Sequence, residues 1–133
     1  MKQTVVVLGA SPKPERYSNQ AVRALRDHGH EVIPVHPARS HIEDIPAVPN
    51  LASVTGPVDA LTVYVSPAHS LPLADDIIRL RPGRVILNPG TESPALEARL
   101  TEAQIPWQHA CTLVLLATGQ FVSANPPHGE NQP

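Results

Sequence analysis

Residues 4–16, TVVVLGASPKPER, contain the stretch that decides the fold. The β-branched apolar run from Thr4 to Leu8 predicts a strand that is buried on both faces of a sheet. Gly9 follows at once and lets the chain turn sharply out of that strand. The next helix is predicted to begin only at Ser18 or Asn19, so the loop is longer than the glycine-rich turn of a dinucleotide-binding unit. The stretch therefore predicts the first strand, loop and helix of an α/β protein.

The remaining chain repeats this alternation of strands and helices. Gly29 is expected to end the first helix near His28, and Glu31 to Val35 is predicted as the second strand. A short extended piece at Ile45 to Val48 and a helical turn at Leu51 to Val54 should follow. Further strands are predicted at Asp59 to Val65, Arg84 to Leu87 and Ile105 to Ala110, and helices at Ser70 to Leu80 and Ser93 to Ala103. The alternation predicts an open, mostly parallel sheet with helices on both faces.

Length and composition limit the classes of protein to consider. The 133 residues favour one domain, which we place at residues 1–121. Residues 122–133 have almost nothing to bury and are expected to form a disordered tail. The net charge is −2, with both signs mixed along the chain, so we expect no nucleic-acid partner. No apolar stretch reaches the ~18 residues of a membrane span. The single cysteine allows no internal disulfide and fits a cytoplasmic location.

The first loop carries groups that suit a phosphate. Ser11 supplies a hydroxyl, Lys13 and Arg16 supply positive charge, and Ser18 and Asn19 supply donors at the helix start. The first amides of a helix are free and lie at the positive end of its dipole. The alternative is a capped loop with solvated basic residues. No histidine pair or cysteine–histidine cluster has the spacing of a metal site, and none is expected.

The end of the second strand separates candidate ligands. An NAD-binding unit usually has Asp or Glu there for the ribose hydroxyls, about 20 residues after the glycines. This chain has His36 at that position, Arg39 shortly after it, and no carboxylate before Glu43. A ribose with a 2′- or 3′-phosphate matches these residues better than a plain NAD ribose. The alternative is that His36 is only a polar residue at a strand end.

Three segments in order resemble a known family. LGASPKPER, SNQAVRALRDHGHEVIPVHP and DALTVYVSP are similar to segments of the small stand-alone CoA-binding domains. The resemblance extends over residues 3 to about 112, and the first segment is the most specific. It implies a Rossmann-like fold, similar to the CoA-binding domain at the N-terminus of the succinyl-CoA synthetase alpha chain. It also implies coenzyme A or an acyl-CoA as the cofactor.

The resemblance also implies a role for particular residues. The first loop and the helix start match the family's diphosphate site, the VHP segment matches a turn near the ribose phosphate, and the strand end before Pro67 matches the adenine and pantetheine side. The loop after the fourth large strand differs more and would face the pantetheine arm. With the two arginines argued above, the predicted site comprises Gly9, Ala10, Ser11, Lys13, Arg16, Ser18, Asn19, Val35, His36, Pro37, Arg39, Ser66, Pro67, Asn88 and Gly90.

The resemblance favours a binding module over an enzyme. The phosphorylated histidine of the synthetase belongs to a second domain, and this sequence carries neither that domain nor an ATP-grasp domain. We therefore expect a protein that binds CoA or acyl-CoA, with sensing or regulation as its role. The alternatives are an NAD(P)-binding redox sensor or oxidoreductase fragment, and an interaction subunit with a vestigial pocket.

Three further features leave two interpretations each. Cys111 could form a mixed disulfide with CoA, or be a small buried apolar residue. Ser66 and His69 could be a hydrolase pair, although the sequence shows no acid partner for the histidine. The apolar stretch from Thr112 to Leu116 fits a helix or a strand. The stretch from Thr112 to Ala117 could be covered in a homodimer or pack on its own sheet.

Overall fold

A five-stranded parallel sheet forms the centre of the computed structural model, which describes residues 2–122. Its strands are β1 (Thr4–Leu8), β2 (Glu31–Val35), β5 (Ala60–Val63), β6 (Val85–Leu87) and β7 (Trp107–His109), in the order β2-β1-β5-β6-β7. A separate antiparallel hairpin consists of β3 (His41–Ile42) and β4 (Ile45–Pro46). The predicted open sheet is thus confirmed, and all the strand pairs within it are parallel.

Helices cover both faces of the sheet. They are α1 (Tyr17–Asp27), α2 (Pro67–Ser70), α3 (Ala74–Leu80), α4 (Pro94–Glu102) and α5 (Thr112–Ala117), with 3-10 turns at Leu51–Ser53 and Leu71–Leu73. Val5 and Val7 of β1 point to the side of α1 and α5, where they pack with Val22, Leu25 and Leu116. Val6 and Leu8 point to the opposite side and pack with residues of α3 and α4. Such burial on both faces is what the uninterrupted apolar run of β1 predicted.

Local sequence explains most element boundaries. Ser93 caps α4 by accepting a hydrogen bond from the Leu96 amide, and Pro94 occupies the first helical position, as predicted. The predicted helix from Ser70 instead starts at Pro67, because Pro67 is itself tolerated in a first turn. It then passes through the 3-10 turn before α3. Thr112–Ala117 is a helix, which decides between the two predicted structures.

Two further predictions concern the tail and a possible membrane span. The expected tail falls almost wholly outside the described residues, which stop at 122. Within residues 2–122, none of the helices combines the length and the apolarity required to pass through a bilayer.

Candidate functional site

A cleft of about 640 Å³ lies at the carboxyl ends of β1 and β5. The strand order reverses between these two strands, because β2 lies on the far side of β1 and β6 on the far side of β5. Ligands of open parallel sheets bind at this kind of position. The lining residues come from four loops and the start of α1: Gly9, Ser11, Pro12, Lys13, Arg16, Tyr17, Ser18, His36, Arg39, Tyr64, Val65, Ser66, Pro89, Gly90 and Thr91.

Gly9 allows the first loop to leave β1 close to the end of β5. Its φ is +89°, in the region that favours glycine. A Cβ atom at Gly9 would lie 2.7 Å from Cγ1 of Val65 and 3.2 Å from the carbonyl carbon of Tyr64. The loop then closes on itself, because the Ser11 hydroxyl accepts a hydrogen bond from the Lys13 amide at 3.1 Å. The predicted role of Gly9 in a sharp turn therefore has a steric reason as well as a conformational one.

The start of α1 presents backbone amides near the cleft. The first hydrogen bond of the helix runs from the Gln20 amide to the Arg16 carbonyl at 3.0 Å. The amides of residues 17–19 therefore lack an acceptor within the helix. Arg16 is the N-cap residue and its side chain makes no capping hydrogen bond. The N-terminus of α1 can thus offer donors to an anion in the cleft.

Asn19 supports the loop from behind and does not line the cleft. Its side chain is fully buried, and its Nδ2 donates to the Ser11 carbonyl at 2.9 Å and to Oε2 of Glu43 at 3.1 Å. Its Oδ1 accepts a hydrogen bond from Nε of Arg23 at 2.8 Å. Arg23 also donates to the Pro14 carbonyl. These bonds hold the first loop on α1 and engage the carboxylate of Glu43.

The charge of the cleft is one-sided. Lys13, Arg16 and Arg39 line it, and no Asp or Glu does. Among residues 2–122, no side chain forms an ion pair or a hydrogen bond with any of these three cations. The protein as a whole has a net charge of −2, so the positive cleft is a local feature. Uncompensated cations around free amides favour a ligand with several negative charges.

His36 follows β2 and joins the cleft from the side of that strand. Its backbone amide donates to the Val48 carbonyl at 2.9 Å. Its ring Nδ1 accepts hydrogen bonds from the amides of Ala38 and Arg39, both at 3.0 Å. The ring therefore organises its own loop, and the loop places Arg39 at the cleft.

Ser66 follows β5 and is the N-cap of α2. Its hydroxyl lies 2.9 Å from Nδ1 of His69, and both side chains are exposed. Within the described chain, His69 has no carboxylate partner. The geometry lacks the third member that orients the base in a catalytic triad.

Asn88 lies beneath the cleft, in a buried polar network. Its Nδ2 donates to the Thr62 hydroxyl at 2.7 Å and to the Val63 carbonyl at 2.9 Å, while its Oδ1 accepts from the Thr112 amide at 2.9 Å. The Thr62 and Thr112 hydroxyls are 2.8 Å apart. Asn88 thereby joins β5, β6 and α5 and supports the following loop, in which Gly90 reaches the cleft.

Comparison with known proteins identifies the family. The family model described as CoA binding domain matches residues 3–117. The chain belongs to this CoA-binding domain family. The predicted family resemblance is confirmed.

Related proteins and solved structures are similar to this chain. A crystal structure of an uncharacterized protein is 37% identical, with a TM-score of 0.85, and the match covers 91% of this chain and 99% of the other. The uncharacterized protein YneT of Bacillus subtilis is 35% identical over 60 residues, which span 45% of this chain and 44% of YneT. A dinucleotide-forming acetyl-coenzyme A synthetase 1 of Ca. Korarchaeum cryptofilum, in complex with phosphate and ADP, is 20% identical, with a TM-score of 0.69. That match covers 80% of this chain and 25% of the synthetase, and it shows the fold alone.

The CoA-binding domain brings a large part of the predicted site to one cleft. Gly9, Ser11, Lys13, Arg16, Ser18, His36, Arg39, Ser66 and Gly90 line it. Ala10, Asn19, Val35 and Asn88 are buried behind it, and Pro37 and Pro67 are exposed beside it. These six residues do not line the cleft.

Both tyrosines of the chain line the cleft, and sequence analysis missed them. Tyr17 is 71% exposed at the first position of α1. Tyr64 is half-buried with its hydroxyl enclosed. Burial raises the pKa of Tyr64 to about 12, and the Thr112 hydroxyl acts in the opposite direction. Tyr64 lies near the end of the strand predicted at Asp59 to Val65, two residues before Ser66. This position could have indicated that Tyr64 also lies at the cleft. Pro12, Val65, Pro89 and Thr91 complete the cleft.

Two other sequence predictions concern the neighbourhood of α5. Cys111 is half-buried at the N-cap of α5 and does not line the cleft. In α5 itself, Thr112 and Leu116 are buried while Val114 is 55% exposed. The helix packs against α1, so this stretch covers its own sheet. No cluster of metal-binding side chains occurs between residues 2 and 122.

Proposed function

We propose that this protein binds coenzyme A or an acyl-CoA in the cleft, as a small binding module with a role in sensing or regulation. One observation carries the proposal: three cations without carboxylate partners surround the cleft of a chain that belongs to the CoA-binding domain family. Coenzyme A carries a diphosphate and a ribose phosphate, which are the groups that such cations and free helix amides recognise.

The four loops support a division of labour along the ligand. The first loop and the start of α1, with Ser11, Lys13 and Arg16, would hold the diphosphate. The loop after β2 would place Arg39 near the ribose phosphate. Ser66 and Gly90, on the other wall, would contact the pantetheine arm. This assignment follows the predicted site, and it uses Ala10, Asn19, Val35 and Asn88 as supports for the loops.

Plain NAD fits the cleft less well. A dinucleotide site commonly uses a carboxylate for the ribose hydroxyls. Here the carboxylate of Glu43 accepts a hydrogen bond from Asn19, and no carboxylate lines the cleft. NADP carries one phosphate more than NAD and therefore offers the cations of the cleft a further partner. Its affinity is the most useful one to compare with that of CoA.

Calorimetric titration of the full chain tests the proposal. We expect heat of binding with CoA and acetyl-CoA, weaker binding with dephospho-CoA, and weaker binding still with NAD. Binding of NADP that is tighter than that of CoA would favour the redox-sensor alternative. A protein that binds none of these nucleotides would refute the proposal and favour an interaction subunit with a vestigial pocket.

Thermal unfolding gives an independent measurement. A ligand at 100 times its dissociation constant adds about 2.7 kcal/mol to the stability of the folded state. CoA should therefore raise the unfolding temperature of the wild-type protein.

We further propose a cytoplasmic location, supported by the single cysteine. Cell fractionation with an antibody against the protein would test it, and recovery in an extracellular fraction would contradict it.

A further inference from the structure

The loop after β2 depends on one ring nitrogen. Pro37 has no amide hydrogen, and the next two amides, of Ala38 and Arg39, both donate to Nδ1 of His36 at 3.0 Å. Residues 37–39 are exposed, whereas His36 is half-buried. Short loops with exposed residues are held by few contacts. The ring of His36 therefore supplies the local hydrogen bonds of residues 37–39.

This geometry determines which nitrogen carries the proton. A nitrogen that accepts a hydrogen bond has its lone pair free, so Nδ1 of His36 is unprotonated. The neutral ring then carries its hydrogen on Nε2. Among residues 2–122, Nε2 of His36 has no hydrogen-bond partner. The side chain can thus offer one neutral N–H donor while Nδ1 fixes the loop.

We propose that His36 is a positioning residue, which fixes the loop after β2 as a neutral Nε2–H tautomer and so places Arg39 at the cleft. The part that concerns ligand affinity rests on the proposed function. The part that concerns the tautomer and the loop does not, because it follows from contacts within the protein. In this role the imidazole acts in the same way as an asparagine side chain that accepts hydrogen bonds from amides two and three residues later.

Nitrogen NMR of the wild-type chain without ligand tests the tautomer. Long-range proton–nitrogen correlation distinguishes Nε2–H, Nδ1–H and doubly protonated rings, and His36→Gln identifies the signal. We expect the Nε2–H pattern for His36 at neutral pH, with backbone amide signals of Ala38 and Arg39 that shift in His36→Ala. An Nδ1–H tautomer or a doubly protonated ring would overturn the inference whether or not the protein binds CoA.

Three substitutions at His36 test the positioning role in binding. Oδ1 of asparagine and aspartate lies two bonds from Cβ, as does Nδ1 of histidine, so both can accept the same amides. His36→Asn should keep CoA affinity within about threefold, whereas His36→Ala should weaken it about tenfold. His36→Asp should restore the loop amide signals but weaken CoA binding, because a carboxylate repels phosphate. His28→Ala, at the opposite end of α1, serves as the matched control and should leave affinity unchanged.

A double-mutant cycle with Arg39→Ala separates positioning from direct contact. If His36 acts by placing Arg39, His36→Ala should cost less than about threefold in affinity once Arg39 is absent. Equal losses for His36→Ala and His36→Asn, or a full tenfold loss in the Arg39→Ala background, would refute the positioning role. Failure of the wild-type protein to bind CoA would refute the proposed function instead, and the tautomer measurement would still decide this inference.

Discussion

Lys13 is the residue through which the charge of the cleft is tested most directly. It is exposed on the first loop and has no carboxylate partner in the described chain. Such a cation gains little from the folded protein itself, because exposed ion pairs and solvated charges contribute little to stability. Its contribution should therefore appear in binding.

Lys13→Glu should weaken CoA binding roughly five- to a hundredfold, because it removes a phosphate partner and adds repulsion. Calorimetric titration measures the change. Lys2→Glu is the matched control, since Lys2 is exposed and does not line the cleft. Equal affinity in Lys13→Glu and the wild-type protein would remove Lys13 from the site.

Gly9 and Gly29 allow a paired test of conformation against steric space. Their φ values are +89° and +85°, but only Gly9 has atoms near the position of a Cβ. Gly29→Ala should lower the free energy of unfolding by about 1–2 kcal/mol, the cost of a left-handed residue with a side chain. Gly9→Ala should cost about 1–3 kcal/mol more, because the Cβ meets Val65 and the backbone of Tyr64. Urea denaturation measures both, and equal losses would show that the close approach at Gly9 has no energetic weight.

At the scale of elements, the cleft depends on polar side chains that face away from it. Asn19 ties the first loop to α1 and to the β3–β4 turn, where Glu43 has a φ of 54° and Asp44 a φ of 65°. Asn88 ties β5 and β6 to α5. Buried networks of this kind are rigid when all their hydrogen bonds are made.

Asn19→Ala tests the first of these supports. It leaves the Ser11 carbonyl and the Glu43 carboxylate without their donor, so the free energy of unfolding should fall by about 2–4 kcal/mol. CoA affinity should fall as well, although Asn19 does not line the cleft. Gln20→Ala is the control, because half-buried Gln20 has a single side-chain hydrogen bond, to the Glu15 carbonyl at 3.2 Å, and contacts neither Ser11 nor Glu43 through it. Unchanged affinity in a folded Asn19→Ala protein would show that the loop needs no support from this side chain.

Features that depend on local sequence could be predicted, whereas side-chain contacts between residues far apart in sequence could not. The strands Thr4–Leu8 and Glu31–Val35 were predicted at their observed bounds, because apolar runs between turn residues are local signals. The cap at Ser93 was predicted for a similar reason. Residue type indicated that Asn19 belongs near the cleft, and the family resemblance indicated the same for Asn88. Neither could indicate that both side chains point into the protein, because their partners lie up to 26 residues away in sequence.

At the scale of the whole molecule, the two ends of the parallel strands hold different structures. The cleft lies at their carboxyl ends. At the amino ends of the strands, Arg84 and His30 lie close to Phe121, and each of the two is 9% exposed. Arg84 donates to Oε1 of Gln108 and to the Phe121 carbonyl, and its guanidinium lies 4.5 Å from the centre of the Phe121 ring. Burial lowers the pKa of Arg84. These contacts hold Phe121, which follows α5, against the amino ends of the strands.

His30 makes the stability of the folded protein depend on pH. Burial lowers the pKa of His30 below the usual 6.5, and the charges of His28 and Arg84 lower it further. Its Nδ1 accepts a hydrogen bond from the Gln3 amide at 3.0 Å, which the neutral ring permits. The unfolded chain therefore binds a proton at a higher pH than the folded one. The contribution of His30 to stability is complete above pH 6.5 and is lost as pH falls through the lower pKa of the folded state.

Urea denaturation between pH 8 and pH 5 should show this loss in the wild-type protein. His30→Gln should be less stable at pH 8 but should lose less stability on acidification, because glutamine does not titrate. His41→Gln, an exposed hairpin residue, should keep the wild-type slope. A wild-type slope in His30→Gln would assign the acid sensitivity to another group.

Trp107 is the only tryptophan of the chain and lies on the edge strand β7, outside the cleft. Its indole Nε1 donates to the Thr101 hydroxyl of α4 at 2.8 Å. Fluorescence from this ring should therefore report the separation of α4 from β7 as the protein denatures. The same signal should change little when a nucleotide binds in the cleft. The protein thus carries its own optical probe of folding, placed apart from the residues that line the cleft.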